Sequence, residues 1–282
     1  MMTSQPLVDC HFHVFDAGVA VASARYRPSY AAPLTDWLAM AGVVGGAHGD
    51  PYGVVVQTSF LGTDNSMMLA ALGRMPARLR GVAVVDPSVP DAGLTALDAA
   101  GVRGIRLNLY GDEGWRRIET APWRGLFSRT AALGWHVELH TDNGDGATIL
   151  SALDAAIGDA PAPIVLDHFG RPGAGGVADA VFDTARAVRE RRPLWVKISA
   201  PYRLNGSLAS PDLWQALTAR WAEVAGADRL LWGSDWPWTN HEGPARADEC
   251  RATMAWLATR PDLEDRLRWR NAAALYGFDI PG

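Results

Sequence analysis

His11 and His13 stand two residues apart in "VDCHFHVFD", residues 8 to 16, inside an apolar run near the start of the chain. Side chains on an extended strand repeat every two residues, so both imidazoles project from one face. Two imidazoles on one face can ligate a metal ion or hydrogen-bond a carbonyl oxygen. A third imidazole, His168 in "VLDHFGRP", and a carboxylate, Asp235 in "WGSDWPW", lie at the ends of later apolar runs. Together the four suit Zn²⁺ or a similar ion with one position open for water. Without metal, the imidazoles could polarise a carbonyl while Asp235 takes a proton from water. A single His-x-His is as easily a pair of polar groups at a strand end. The recurrence of His168 and Asp235 at matching places favours chemistry.

These groups need a scaffold, and the chain supplies a repeating one. Apolar runs rich in Val, Ile and Leu occur at 7–15, 53–59, 79–86, 102–109, 135–141, 162–169, 194–200 and 229–235. Near-continuous apolar runs of this length suit strands buried on both faces of a parallel sheet. Helical patterns separate them. The segment at 63–76 opens with a cap candidate at Thr63 or Asp64, and "DAGLTALDAAG" closes on Gly101. The segment at 121–134 has Pro122 in its first turn, and the one at 210–226 starts with Ser210 and Pro211 and ends at Gly226. Similar patterns cover 145–158, 176–192 and 245–258.

Eight strands alternating with helices predict an α/β fold, a single (β/α)8 TIM-type barrel domain over residues 1–282. An open doubly wound sheet is the alternative, but no G-x-G-x-x-G follows the first strand. In a barrel the active site lies at the C-terminal ends of the strands. His11, His13, Gln57, Thr58, Ser59, Asp86, Arg106, Asn108, Glu138, His140, Asp167, His168, Lys197, Ser199, Ser234 and Asp235 all fall late in their runs. The stretch from Gly18 to Gly53 exceeds what one helix needs, and "RYRPSYAAPL" within it reads as an ordered loop over the barrel mouth.

Composition narrows the functions. The chain has 282 residues, 48% hydrophobic and 20% charged, with a net charge of −5 and no basic stripe, so nucleic acid is not an expected partner. No apolar run approaches the roughly 20 residues that span a bilayer, and the first residues lack a secretory pattern. Two cysteines, Cys10 and Cys250, offer no disulfide framework. A cytoplasmic protein without membrane attachment is expected. The oligomeric state is left open.

The ordered segments "VDCHFHVFD", "VVVQTSFLGTDN", "GVRGIRLNL", "VLDHFGRP", "VKISAPYRL" and "LLWGSDWPWTNHE" resemble the amidohydrolase superfamily. They resemble in particular its amidohydrolase-2 group, which contains pyrone-dicarboxylate hydrolases and related lactonases. The resemblance spans nearly the whole chain. It implies that His11, His13, His168 and Asp235 are the catalytic set, with Asp235 as general base. It implies substrate contacts at Arg106, Arg171, Arg203 and Ser59, with a looser match at Tyr26. Members of the group differ in metal use, so a divalent ion, Zn or Mn, on His11, His13, His168 and Asp235 and a metal-independent reaction both stay open.

Two departures bear on substrate. Where a second arginine is expected after Arg106, the chain reads "LNLYGDEGW", and Asp112 and Glu113 would repel a dicarboxylate if they faced the site. Strand five ends in His140 where the pyrone hydrolases have tyrosine, which adds His140 to the substrate-binding candidates and favours a metal. The expected reaction is hydrolysis of a carboxylate-bearing lactone, of the 2-pyrone-4,6-dicarboxylate or sugar-acid type. Lactone isomerisation and metal-dependent decarboxylation are the alternatives, and a non-catalytic binding barrel would have no need of a general base. Arg171 and Arg203, just past strand ends, suit a carboxylate through paired hydrogen bonds. His48, His136 and His241 are expected to be structural or solvent-facing.

Overall fold

The computed structural model describes residues 6–45, 51–204, 210–243 and 245–281, and His48 lies outside them. The strands are β1 Val8–Phe12, β2 Tyr52–Val56, β3 Leu79–Ala83, β4 Val102–Asn108, β5 His136–His140, β6 Ile164–Leu166, β7 Leu194–Ser199 and β8 Leu230–Gly233. The helices are α1 Leu34–Gly45, α2 Ser66–Arg74, α3 Asp91–Ala99, α4 Ala121–Ala132, α5 Gly146–Ile157, α6 Val181–Arg189, α7 Pro211–Val224, α8 Ala245–Leu257 and α9 Asn271–Tyr276. A helix follows every strand, and the eight strands take the order β1 to β8 in one sheet. This is the (β/α)8 barrel topology expected from the alternation. No helix among the described residues is long and apolar enough to cross a membrane.

The chain divides into two compact units, Met1–Val82 with Leu231–Gly282, and Ala83–Leu230. In the first, β1 runs parallel to β2 with Asp9 opposite Gly53, and β2 runs parallel to β3. The indole of Trp37 on α1 stacks on Phe12, with ring centroids 3.9 Å apart. Gly53 makes that stack possible. A Cβ there would stand 2.6 Å from Trp37 and 2.7 Å from Phe12, closer than carbon atoms approach. The indole thereby reaches Asp9 from outside β1.

In the second unit, β4, β5, β6 and β7 pair in parallel, with Arg106 opposite Glu138 and Asn108 opposite His140. Every residue of β5, β6 and β7 is buried, as expected for strands covered on both faces. Leu126, Phe127, Leu150, Leu153 and Val188 of the helices are buried as well.

Ser210 caps α7 before Pro211, as expected, whereas α2 is capped at Asn65, one residue beyond the expected Thr63 or Asp64. Asp64 accepts the Ser66 backbone N–H at 3.0 Å. Strand six is shorter than the expected 162–169, because the backbone turns at Asp167 and His168 starts a short turn. The 266–270 turn and α9 were not foreseen.

Candidate functional site

In the first unit the two histidines and Asp235 meet. His11 ends within β1 and His13 lies one residue beyond it. Their Nε2 atoms stand 3.5 and 3.7 Å from Asp235 Oδ1, respectively. All three side chains are buried, Asp235 being 1% exposed. The corner after β8 is fixed by backbone bonds to β1: Asp235 N donates to His11 O at 2.8 Å and His13 N donates to Trp236 O at 2.9 Å. Asp235 itself has a left-handed backbone, φ 60°.

The tautomer of His13 follows from its surroundings. Its Nδ1 lies 2.7 Å from the Val56 carbonyl. A carbonyl only accepts, so Nδ1 carries a proton and donates it. In the neutral ring Nε2 is then a lone pair turned towards a carboxylate oxygen. Two acceptors at that separation leave room for a bridging water or a divalent cation between them. The donor set therefore fits a metal of the zinc type, and equally an imidazolium–carboxylate pair.

The second unit holds a different set. Arg106 donates from Nη2 and Nε to Asp167 Oδ2 at 2.9 and 3.1 Å, and its Nε lies 3.4 Å from Glu138 Oε1. Lys197, fully buried, donates to Glu138 Oε2 at 2.5 Å and lies 3.4 Å from Asp167 Oδ1. Two cations and two carboxylates thus close a buried network. Arg106 Nη2 also donates to His140 Nδ1 at 3.3 Å. That leaves the His140 proton on Nε2, so the ring is neutral. Burial holds its pKa well below the usual imidazole value, and the positive charges of Arg106, His168 and Arg171 push the same way.

His168 stands edge-on to His140, with ring centroids 5.0 Å apart, and its Nδ1 pairs with Ser199 Oγ at 2.9 Å. His140, Asp167 and His168 offer ligand atoms within 4.8 Å of one another. Tyr110 stacks on His140 at 5.7 Å, and the Arg171 guanidinium lies 5.4 Å from the centre of the Tyr110 ring. An arginine over an aromatic face, beside a neutral N–H donor, suits an acidic group on a planar ligand.

The other expected contacts fall as follows. Arg171 is buried, with φ 52°. Arg203 is half-buried and lies over Tyr202. Ser59 is exposed at the start of a short turn. Tyr26 donates its hydroxyl to Glu242 at 2.5 Å, and Tyr30 donates to the same oxygen at 2.8 Å. The long loop after β1 is therefore ordered and clasped to the loop after β8. Asp112 binds Arg117 and accepts the Gly114 N–H, and Glu113 is exposed. The Asp112 charge is thus satisfied inside its own loop, which removes the repulsion expected of it. His136 is buried, as expected of a structural histidine, and His241 is exposed.

Sequence reasoning did not single out Asp9 or Tyr110. Asp9 had a signal, since it shares the period of two with His11 and His13. Tyr110 had none, because its place follows from the turn beyond β4. Among the described residues, positive φ outside glycine is confined to His168, Phe169, Arg171, Ala200, Asp235, Trp238 and Asn240. All of them lie just past β6, β7 or β8.

Comparison with known proteins places this geometry. The Amidohydrolase family model matches residues 8–278. A 4-sulfomuconolactone hydrolase of Rhizobium radiobacter is 30% identical over 275 residues, covering 95% of this chain and 89% of its own. A 2-pyrone-4,6-dicarboxylate hydrolase of Comamonas testosteroni is 32% identical, with the same shares of the two chains covered. The crystal structure of a putative 2-pyrone-4,6-dicarboxylic acid hydrolase from Pseudomonas putida superposes with a TM-score of 0.83 at 38% identity, covering 98% of this chain and 99% of that one.

Proposed function

Since the chain belongs to the amidohydrolase family, we propose that it is a hydrolase opening a lactone that carries acidic groups, with Asp235 as general base. The observation that carries this reading is the Asp235 carboxylate set 3.5 and 3.7 Å from two imidazoles, one of them fixed in tautomer by Val56. Both curated relatives are named as lactone hydrolases. That favours hydrolysis over isomerisation or decarboxylation.

In this reading water attacks the lactone carbonyl and its proton passes to Asp235. The tetrahedral oxyanion is stabilised by the positive charge that the imidazoles can hold against Asp235. The ring C–O bond then breaks and the leaving oxygen takes up a proton, giving the open acid. His13 donates from Nε2 only as imidazolium, since Nδ1 is committed to Val56. His168 is assigned to the same reaction by the order of the family's motifs. A Zn or Mn ion, when bound, would be held by His11, His13, His168 and Asp235, and would polarise the carbonyl.

Arg171, His140 and Tyr110 are assigned to an acidic substituent of the substrate, with Arg203 as a further contact. Arg106 belongs to recognition through His140, whose Nδ1 it holds. Ser59 and Tyr26 stay as substrate contacts carried by the family resemblance, Tyr26 through the clasped loop. Candidate substrates are 2-pyrone-4,6-dicarboxylate, sulfomuconolactones and sugar-acid lactones. We also read the chain as one domain, because one family model runs through both units. A cytoplasmic location accords with two buried cysteines that form no disulfide.

The test is Asp235→Asn on the best lactone of that panel, with metal content measured in both proteins. A general base is worth about 10²–10⁴ in rate, so kcat should fall by that much without recovery on adding Zn²⁺ or Mn²⁺. Incorporation of solvent ¹⁸O into the product should identify hydrolysis. Near wild-type kcat in the variant, or product free of solvent oxygen, would overturn the proposal.

A further inference from the structure

The carboxylate of Asp9 is fully buried and gathers four donors. Its Oδ1 accepts the backbone N–H of Ser234 at 2.8 Å and that of His11 at 3.2 Å. Its Oδ2 accepts the Ser234 hydroxyl at 2.5 Å and the Trp37 indole N–H at 2.9 Å. The Ser234 oxygen in turn accepts the Trp236 backbone N–H at 3.0 Å. The residues on both sides of Asp235 are therefore tied to one carboxylate, directly at Ser234 and through a single hydroxyl at Trp236. The third tie is Asp235 N on His11 O, at 2.8 Å, and His11 N rests on Asp9 as well.

From this we infer that Asp9 is a positioning residue: through Ser234 it holds the strained corner after β8 so that Asp235 faces His11 and His13. The inference rests on the reading of Asp235 as general base. Asp9 meets no reacting atom in this account and acts only through the corner. The need is physical, because Asp235 has φ 60°. A non-glycine residue stays in that conformation only when its surroundings over-determine it. A carboxylate suits the demand at position 9, since all four of its partners donate. Asparagine has one acceptor oxygen, so its amide would oppose either the two backbone N–H groups on Oδ1 or the Trp37 indole N–H on Oδ2, and the Ser234 hydroxyl would have to turn round to accept. Glutamate would push the carboxylate one methylene too far into a packed site. Gly53 leaves room for the stacked Trp37 to supply the fourth donor.

The test compares Ser234→Ala, Ser234→Thr, Asp9→Asn, Trp37→Phe and Asp235→Asn. Each is assayed on the lactone turned over fastest among 2-pyrone-4,6-dicarboxylate, 4-sulfomuconolactone and sugar-acid lactones, and each is unfolded in urea. Ser234→Ala and Asp9→Asn should lower kcat about tenfold or more with KM changed by less than about threefold, a loss confined to the transition state. Ser234→Thr keeps the hydroxyl and should return most of the activity. Trp37→Phe removes a donor from the same carboxylate but leaves the corner tied, so it should lower the urea midpoint while leaving kcat unchanged. A Ser234→Ala enzyme with wild-type kcat overturns the inference, and so does a kcat that follows the urea midpoint across all variants, Trp37→Phe included. If Asp9→Asn does not fold, the two Ser234 variants decide. An inactive Asp235→Asn beside active Ser234 and Asp9 variants defeats the positioning role alone. An active Asp235→Asn defeats the general-base reading, and the positioning role with it.

Discussion

Replacing Lys197 by methionine removes one charge from a network that balances as it stands. Lys197 and Arg106 carry two positive charges, and Glu138 and Asp167 carry two negative ones, all within contacts of 2.5 to 3.4 Å. The Lys197, Glu138 and Asp167 side chains are 0% exposed and Arg106 is 4% exposed. Methionine nearly keeps the volume of lysine, so packing changes little. What remains is an uncompensated buried carboxylate, and removing one partner of a buried pair typically costs about 3–5 kcal/mol. That is a large share of the roughly 5–15 kcal/mol that holds a domain folded. Glu138 would still face Arg106 Nε at 3.4 Å and the His136 ring at 3.9 Å, but Arg106 is already bound to Asp167 and burial disfavours a charged His136. Adding Glu138→Leu should therefore restore much of the loss, since the Arg106–Asp167 pair is left balanced with two hydrogen bonds. Urea unfolding followed by tryptophan fluorescence would measure both variants, and the cycle isolates the coupling. A loss below about 1 kcal/mol for Lys197→Met, or a double variant as unstable as the sum of the singles, would refute the reasoning.

Arg171→Met and Arg203→Met should act on binding, raising KM more than they lower kcat. A hydrogen bond to a charged group is worth about 1.5–3 kcal/mol, so kcat/KM on an acidic lactone should fall tenfold or more, and unchanged kinetics in both would make the two arginines structural. Stability should fall with acid, because His136 and His140 are buried and burial holds both below the usual value of 6.5. The unfolded chain then binds protons that the folded one refuses. The contribution is complete above about pH 6.5 and is lost as pH falls below it, by up to about 1.4 kcal/mol per pH unit for each ring. Urea midpoints at pH 7.5 and 5.5 would show the drop, and equal midpoints would contradict it.

The parts legible in the sequence were those set by local pattern. Apolar runs and glycine, proline and serine punctuation located the strands and most helices. The period of two put His11 and His13 on one side, and family motifs added Asp235, which the structure sets beside them. What escaped depends on partners far apart in sequence. Arg106 reads as a substrate contact, and nothing local shows that its guanidinium also binds Glu138 and His140 of β5 and Asp167 just past β6. Asp112 looked like a charge against the substrate, and Arg117 neutralises it within its own turn. Tyr26 reads as a looser substrate contact, and its hydroxyl bond to Glu242, more than two hundred positions away, has no local signal. Charge partners of this kind follow from the register of strands and the course of loops, which composition and periodicity do not encode.

The left-handed backbones past β6, β7 and β8 have a consequence for how this protein can change. A non-glycine residue in that conformation is held at a penalty of about 1 kcal/mol, which glycine would relieve. His168, Arg171 and Asp235 nevertheless keep their side chains there. In a library of variants, two selections would pull these positions apart: one for thermal survival would enrich glycine, and one for turnover would purge it. Ala200, which shares the backbone but not the chemistry and has almost no side chain to lose, would drift to glycine under the first without resistance from the second. The contrast between the two sets would separate residues kept for catalysis from those kept by history, with no knowledge of the substrate.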